Sequence, residues 1–231
     1  MHRGNNRRRL FSYPKDYLKL LRYLVDALEK ADSAIRVHAF AVMSNHLHLI
    51  VTPDNKLALA NFVKSFAQRY TGHRNRERGG SGKLFEARFV SKPILDDTYL
   101  AVCHGYVELN PVRAGIVDAA GEYRWSSYRY WARSSAASPL MRELLTPSPW
   151  HLSLGSTGRD RAAGFERWVE ACRIFGRKPE DVAEWDKVEA YSASYTRRLE
   201  RPDGSSAREA TADYLFRSRG QRPSNNRRLA E

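Results

Sequence analysis

The apolar positions of this chain change period along its length. Tyr17, Leu20, Leu21, Leu24, Val25 and Leu28 recur every three to four residues behind Pro14, which predicts an amphipathic helix starting near that proline. Ile35 to Val42 reads as a strand, Met43-Ser44-Asn45 as a short turn, and His46 to Thr52 as the strand that returns to form a hairpin. Pro53-Asp54-Asn55 is a loop. A second helix follows, with Leu57, Phe62, Phe66 and Tyr70 on its buried side and Lys64, Gln68 and Arg69 on the other. Arg74 to Lys83 reads as a flexible basic loop and Leu84 to Ile94 as a strand. Asp96 or Asp97 caps a third helix that runs to about Asn110, because Pro111 disfavours helix at the residue before it.

The order helix, two strands, helix, strand, helix is a βαββαβ unit without its first strand. It predicts an α+β fold of the split-βαβ type, an antiparallel sheet with two helices on one face. No segment ahead of Pro14 reads as that first strand. Residues 1–120 form the predicted palm. Residues 121–199 are an extension of aromatic and helical character, with a helix expected over Arg161 to Arg173. Residues 200–231 are polar and Arg-rich, and are expected to be disordered.

Charge adds a partner to this picture. Lys and Arg number 39 against 26 Asp and Glu, a net charge of +13. The excess is clustered: Lys64 to Lys92 holds eight basic residues and two acidic ones, Arg3 and Arg7 to Arg9 form a second group, and the tail a third. Clustered arginine is the electrostatic footprint of a polyphosphate partner. No apolar run approaches the roughly 20 residues of a membrane span, and the N-terminus MHRGNNRRRLF has no apolar signal core, so a cytoplasmic protein is expected. Cys103 and Cys172 are the only cysteines, and they lack the spacing of a zinc ribbon.

Candidate chemistry lies on the second hairpin strand and the third helix. A strand alternates its faces, so His46 and His48 share a side and Leu47 takes the other. Two imidazoles on a rigid strand are half of a metal site. Tyr106 and Asn110 are four apart in HGYVELNPVRAG, one turn along one helical face. Tyr99 and His38 read as structural, and His104, two residues from Tyr106, faces away from it. Arg69, Arg74, Arg88, Lys92 and Arg113 are candidate phosphate contacts. Trp125, Tyr128, Tyr130 and Trp131 are candidate platforms for unpaired bases.

The runs SNHLHLIVTP, LFEARFVSKPI, YVELNPVRAGIV and YRWSSY, in that order, resemble the single-tyrosine HUH transposases, and among them the REP-associated tyrosine transposases of bacteria. The resemblance covers roughly residues 1–155. It implies a ferredoxin-like HUH palm that nicks and rejoins single-stranded DNA through a covalent 5′-phosphotyrosine. It implies Tyr106 as nucleophile and His46, His48 and Asn110 as ligands of Mg²⁺ or Mn²⁺. The implied partner is single-stranded or hairpin DNA, handled by a monomer or homodimer. Family members usually carry a strand before the RGNN segment. The chain opens at that segment, which points to a displaced start or a shortened copy.

The chemistry suits these residue types. Neutral ligands leave a metal its full charge for the scissile phosphate. Tyrosine, with an ordinary pKa near 10, needs nearby positive charge to attack as a phenolate. Two other readings start from the same residues: a catalytically inactive or domesticated hairpin-DNA-binding protein, and an RNA-binding sheet that uses Phe85 and Phe89. The glycine-aromatic pattern of the latter is absent.

Overall fold

A computed structural model describes residues 1–86, 88–94, 96–132, 138–174 and the backbone of 213–216. The predicted hairpin is present as β2 (Ile35–Met43) and β3 (His46–Pro53), antiparallel with Met43 opposite His46 and Ala41 opposite His48. β3 is the central strand. β2 runs along one edge of it. The other edge is shared by β1 (His2–Arg3), opposite Leu47 and His46, and by β5 (Asp213–Phe216), opposite Val51 and Ile50. β4 (Ser91–Ile94) pairs with the far side of β5. The fold is α+β with an antiparallel sheet, as the split-βαβ reading requires.

Two departures concern the strands. A short first strand exists where none was expected, because His2-Arg3 carries no apolar alternation and is recruited by pairing alone. The stretch expected as a strand over Leu84 to Ile94 is one only from Ser91. Its earlier part is tied irregularly to the N-terminus: Asn5 N–H donates to Leu84 O at 2.8 Å, Glu86 N–H to Arg3 O at 2.9 Å and Val90 N–H to Met1 O at 3.0 Å. Those bonds satisfy the backbone without a regular ladder. Of the tail expected to be disordered, β5 is the described part.

Helix α1 (Pro14–Lys30) starts where proline places it. The Asp16 carboxylate accepts from Ser12 N–H at 2.8 Å and Tyr13 N–H at 3.1 Å, which satisfies donors at the helix start. Helix α2 (Lys56–Arg78) is capped by Asn55, whose side chain accepts from Ala58 N–H at 2.9 Å, and stops at Gly79 in the left-handed region, φ 60°. It therefore absorbs the first half of the predicted basic loop, Arg74 to Arg78. Two of those arginines are used in packing: Arg78 pairs with Asp16 at 2.7 Å, and Arg74 Nε donates to Leu10 O at 3.2 Å. Leu57, expected on the buried side, is 69% exposed. It sits in the first turn, ahead of the stripe Leu59, Phe62, Val63, Phe66 and Tyr70 that is buried.

Helix α3 (Asp97–Glu108) is capped by Asp96, which accepts from Tyr99 N–H at 2.7 Å, and continues after Leu109 into the single turn α4 (Asn110–Arg113). The extension adds α5 (Tyr128–Ala132), α6 (Pro139–Leu144), α7 (Pro149–Ser153) and α8 (Gly158–Ile174). Its aromatics join the palm's core. Trp131 Nε1 donates to His38 O at 3.0 Å, Trp168 Nε1 to Ala101 O at 2.7 Å, and Trp150 and Phe165 pack against His104. The sheet is thus covered on two sides. His48 faces α3, while Leu47, pointing the opposite way, lies on the side of His2, which lines a cavity with α2 residues.

Candidate active site

The alternation of β3 places His46 and His48 side by side, ring centroids 4.8 Å apart at 76°. α3 crosses that face and brings the Tyr106 ring to 5.8 Å from His48, edge to face. Arg113, one residue past the Asn-Pro-Val turn, sets its guanidinium carbon 5.0 Å from the Tyr106 ring centre. Asn110 is joined to Tyr106 through the backbone: its Nδ2 donates to Tyr106 O at 2.7 Å. That bond turns the amide so that Oδ1 is the atom left to accept or ligate.

Asn45, the last residue of the hairpin turn, completes the local geometry. His46 Nδ1 lies 2.6 Å from Asn45 Oδ1, an acceptor, so the proton sits on Nδ1 and the Nε2 lone pair is the open one. Nε2 of His46 is buried without a hydrogen-bond partner. Burial, reinforced by Arg3 and the terminal amine, lowers the His46 pKa to about 4, which keeps the ring neutral. A neutral imidazole with one nitrogen held by a neighbour and the other aimed inward is the arrangement a metal-binding histidine adopts. The residues present therefore fit a divalent ion. Among the described residues, no group of three or more His, Cys, Asp or Glu side chains converges as a metal site, so the histidine pair would need a ligand of another type.

The remaining sequence candidates divide. Arg88 is exposed, and Lys92, also exposed, lies 5.1 Å over the Tyr99 ring. Arg69 is committed to the helix pair: it binds Asp26 at 2.7 Å and lies over Tyr23 at 4.8 Å. Arg74 is held by Leu10 O. Trp125 is 9% exposed and stacks on Tyr17 at 4.6 Å, so its face is taken by the protein rather than offered to a base. Trp131 is likewise buried. His38 occupies a register shift in β2 and spans Thr52 Oγ1 at 2.7 Å and Thr146 O at 2.8 Å, a structural tie. His104 is fully buried against Trp150, away from the Tyr106 face. Sequence reasoning missed Asn45 as the partner of His46. The available signal was its place directly before the histidine pair in a tight turn.

Glu108 lies between Tyr106 and Asn110 in sequence and is fully buried. It hydrogen-bonds Ser127, whose Oγ also accepts from Phe40 N–H at 2.9 Å. Burial pushes its pKa up to about 8, so the carboxyl is largely protonated at neutral pH. The contact fastens α3 to β2 through the WSS segment, and with it the height of Tyr106 above the histidines.

An antiparallel sheet thus carries a histidine pair on its central strand with a tyrosine helix across it. The family model described as "Transposase IS200 like" matches residues 1–110, just under half of the chain. No curated protein and no solved structure matches the chain. That match supports a transposase-type DNA endonuclease and a DNA partner at the level of the family. No helix among the described residues is long and apolar enough to cross a membrane.

Proposed function

We propose that the protein is a single-tyrosine transposase that nicks and rejoins single-stranded or hairpin DNA. The observation that carries the reading is the His46, His48 and Tyr106 ring cluster, with Asn110 bonded to the backbone of Tyr106. Tyr106 Oη attacks the scissile phosphorus and loses its proton. The bond from phosphorus to the 3′ oxygen breaks, that oxygen leaves as a hydroxyl, and the 5′ end stays on Tyr106 as a phosphotyrosine. The ester retains the energy of the broken linkage, so a 3′ hydroxyl from another strand can reverse the step and join there.

His46, His48 and Asn110 would hold a Mg²⁺ or Mn²⁺ ion. When bound, it supplies positive charge to the phosphate oxygens. Arg113, against the Tyr106 ring, adds charge beside the nucleophile. Mn²⁺ suits a site with two imidazoles better than Mg²⁺, which favours oxygen ligands.

The test is a labelled single-stranded oligonucleotide with a hairpin, incubated with Mn²⁺ or with EDTA, beside Tyr106→Phe. A covalent adduct that needs both the metal and Tyr106 is the expected result. An adduct that persists in Tyr106→Phe overturns the assignment. Hairpin binding with no adduct selects a protein that binds without cutting.

A further inference from the structure

We propose that a cavity on the opposite side of the sheet from the histidine pair receives an unpaired base of the bound strand. This rests on the DNA reading above and adds a site to it. The cavity has a volume of about 800 Å³ and lies between α2 and the segment Gly82 to Phe89, the LFEARFV motif that the tyrosine site leaves unexplained. Val63 and Ala67 of α2 form one apolar wall, and Phe85 and the half-buried Phe89 form another. His2 stacks on Phe85 at 4.2 Å and 14°, so that ring, 7% exposed, is held by the protein as part of the wall.

Charge identifies the occupant. Lys64, Lys83 and Arg88 stand exposed around the cavity, and among the described residues none of them is in an ion pair. Glu86 is the one acid among the lining residues. A free apolar ligand has no use for three cations, and a phosphate alone has none for apolar walls. An unpaired nucleotide uses both, since every base has a face that stacks on an aromatic ring and every linkage carries a negative charge. The cavity also adjoins the catalytic face. His2 lines it, while the next residue, Arg3, is the register partner of His46.

The experiment uses the full chain and single-stranded oligonucleotides carrying 5-iododeoxyuridine at successive positions, photocrosslinked and mapped by peptide mass spectrometry. Affinity is measured by fluorescence anisotropy for the wild type, Phe89→Ala and Ala60→Trp. The last variant places a bulky ring at an exposed position on the cavity wall. Thermal unfolding verifies that both variants fold. Crosslinks within residues 82–89, with affinity lowered about tenfold or more in both variants, are expected. Crosslinks confined elsewhere, with affinities within twofold of wild type, overturn the inference, as does a wild type that binds no single strand. The Tyr106-dependent adduct, assayed in parallel, reports separately on the transposase reading. An adduct with no cavity crosslink removes this site and keeps the enzyme.

Discussion

Gly105 precedes the candidate nucleophile and lies where α3 meets α8. A β-carbon added there would come within 2.5 Å of Cys172 Sγ, 2.9 Å of Cys172 Cβ and 3.6 Å of Trp168 Nε1. Two effects oppose each other in Gly105→Ala. Alanine gains about 0.5–1 kcal/mol over glycine in a helix interior. Overpacking a filled site costs about 1–3 kcal/mol. The neighbours have little room to yield. Cys172 is buried, and Trp168 is anchored by its bond to Ala101 O at 2.7 Å. The clash therefore prevails, with a net loss of about 1–2 kcal/mol and a fall in Tm of about 2–8 °C. Urea unfolding of Gly105→Ala, Cys172→Ala and the double variant measures it. Removing Sγ should relieve most of the clash, so the two changes should couple by about 1 kcal/mol or more. The adduct assay should show the single variant slowed, because α3 carries Tyr106. A Gly105→Ala protein more stable than wild type, with effects that simply add, would show that α8 does not press on α3 at this point.

Acid should loosen the junction of the extension with the palm. Burial, helped by Arg161 and His38, lowers the His151 pKa to about 4, against about 6.5 when unfolded. The unfolded chain then binds the proton more readily, so this contribution is complete above pH 6.5 and is lost as pH falls toward 4. It amounts to about 3 kcal/mol, and His151→Gln should flatten the slope of stability against pH in that window. Trp125→Ala should cost about 3–5 kcal/mol by emptying the site against Tyr17, while the affinity of the folded protein for single-stranded DNA stays within twofold. A large loss of affinity at unchanged stability would return Trp125 to the DNA surface. Asp16→Ala should cost about 2 kcal/mol in urea unfolding, because it strips the acceptor from Ser12 and Tyr13 N–H and leaves Arg78 without its anion.

Short-range rules carried much of this molecule. Alternation on β3 was enough to put His46 and His48 on one side, and the four-residue spacing was enough to put Asn110 one turn from Tyr106. Asn55 and Asp96 mark helix starts because their side chains reach donors three residues on. The hairpin and the order of elements follow from the same local patterns. Long-range contact decided the rest. Nothing in His2-Arg3 announces a strand, and the short run Tyr214 to Phe216 lies in a polar tail; the one pairs with β3, the other with β3 and β4. An arginine looks the same in sequence whether it meets Asp26, a backbone carbonyl or water, so Arg69 and Arg74 read as phosphate contacts until α1 and the Leu10 loop claimed them. Trp125 offers the same ring to a base or to Tyr17. That the histidine face of β3 meets α3, rather than α2, depends on which helix packs on which side of the sheet. That choice is made by the whole apolar core, not by any one segment of the chain.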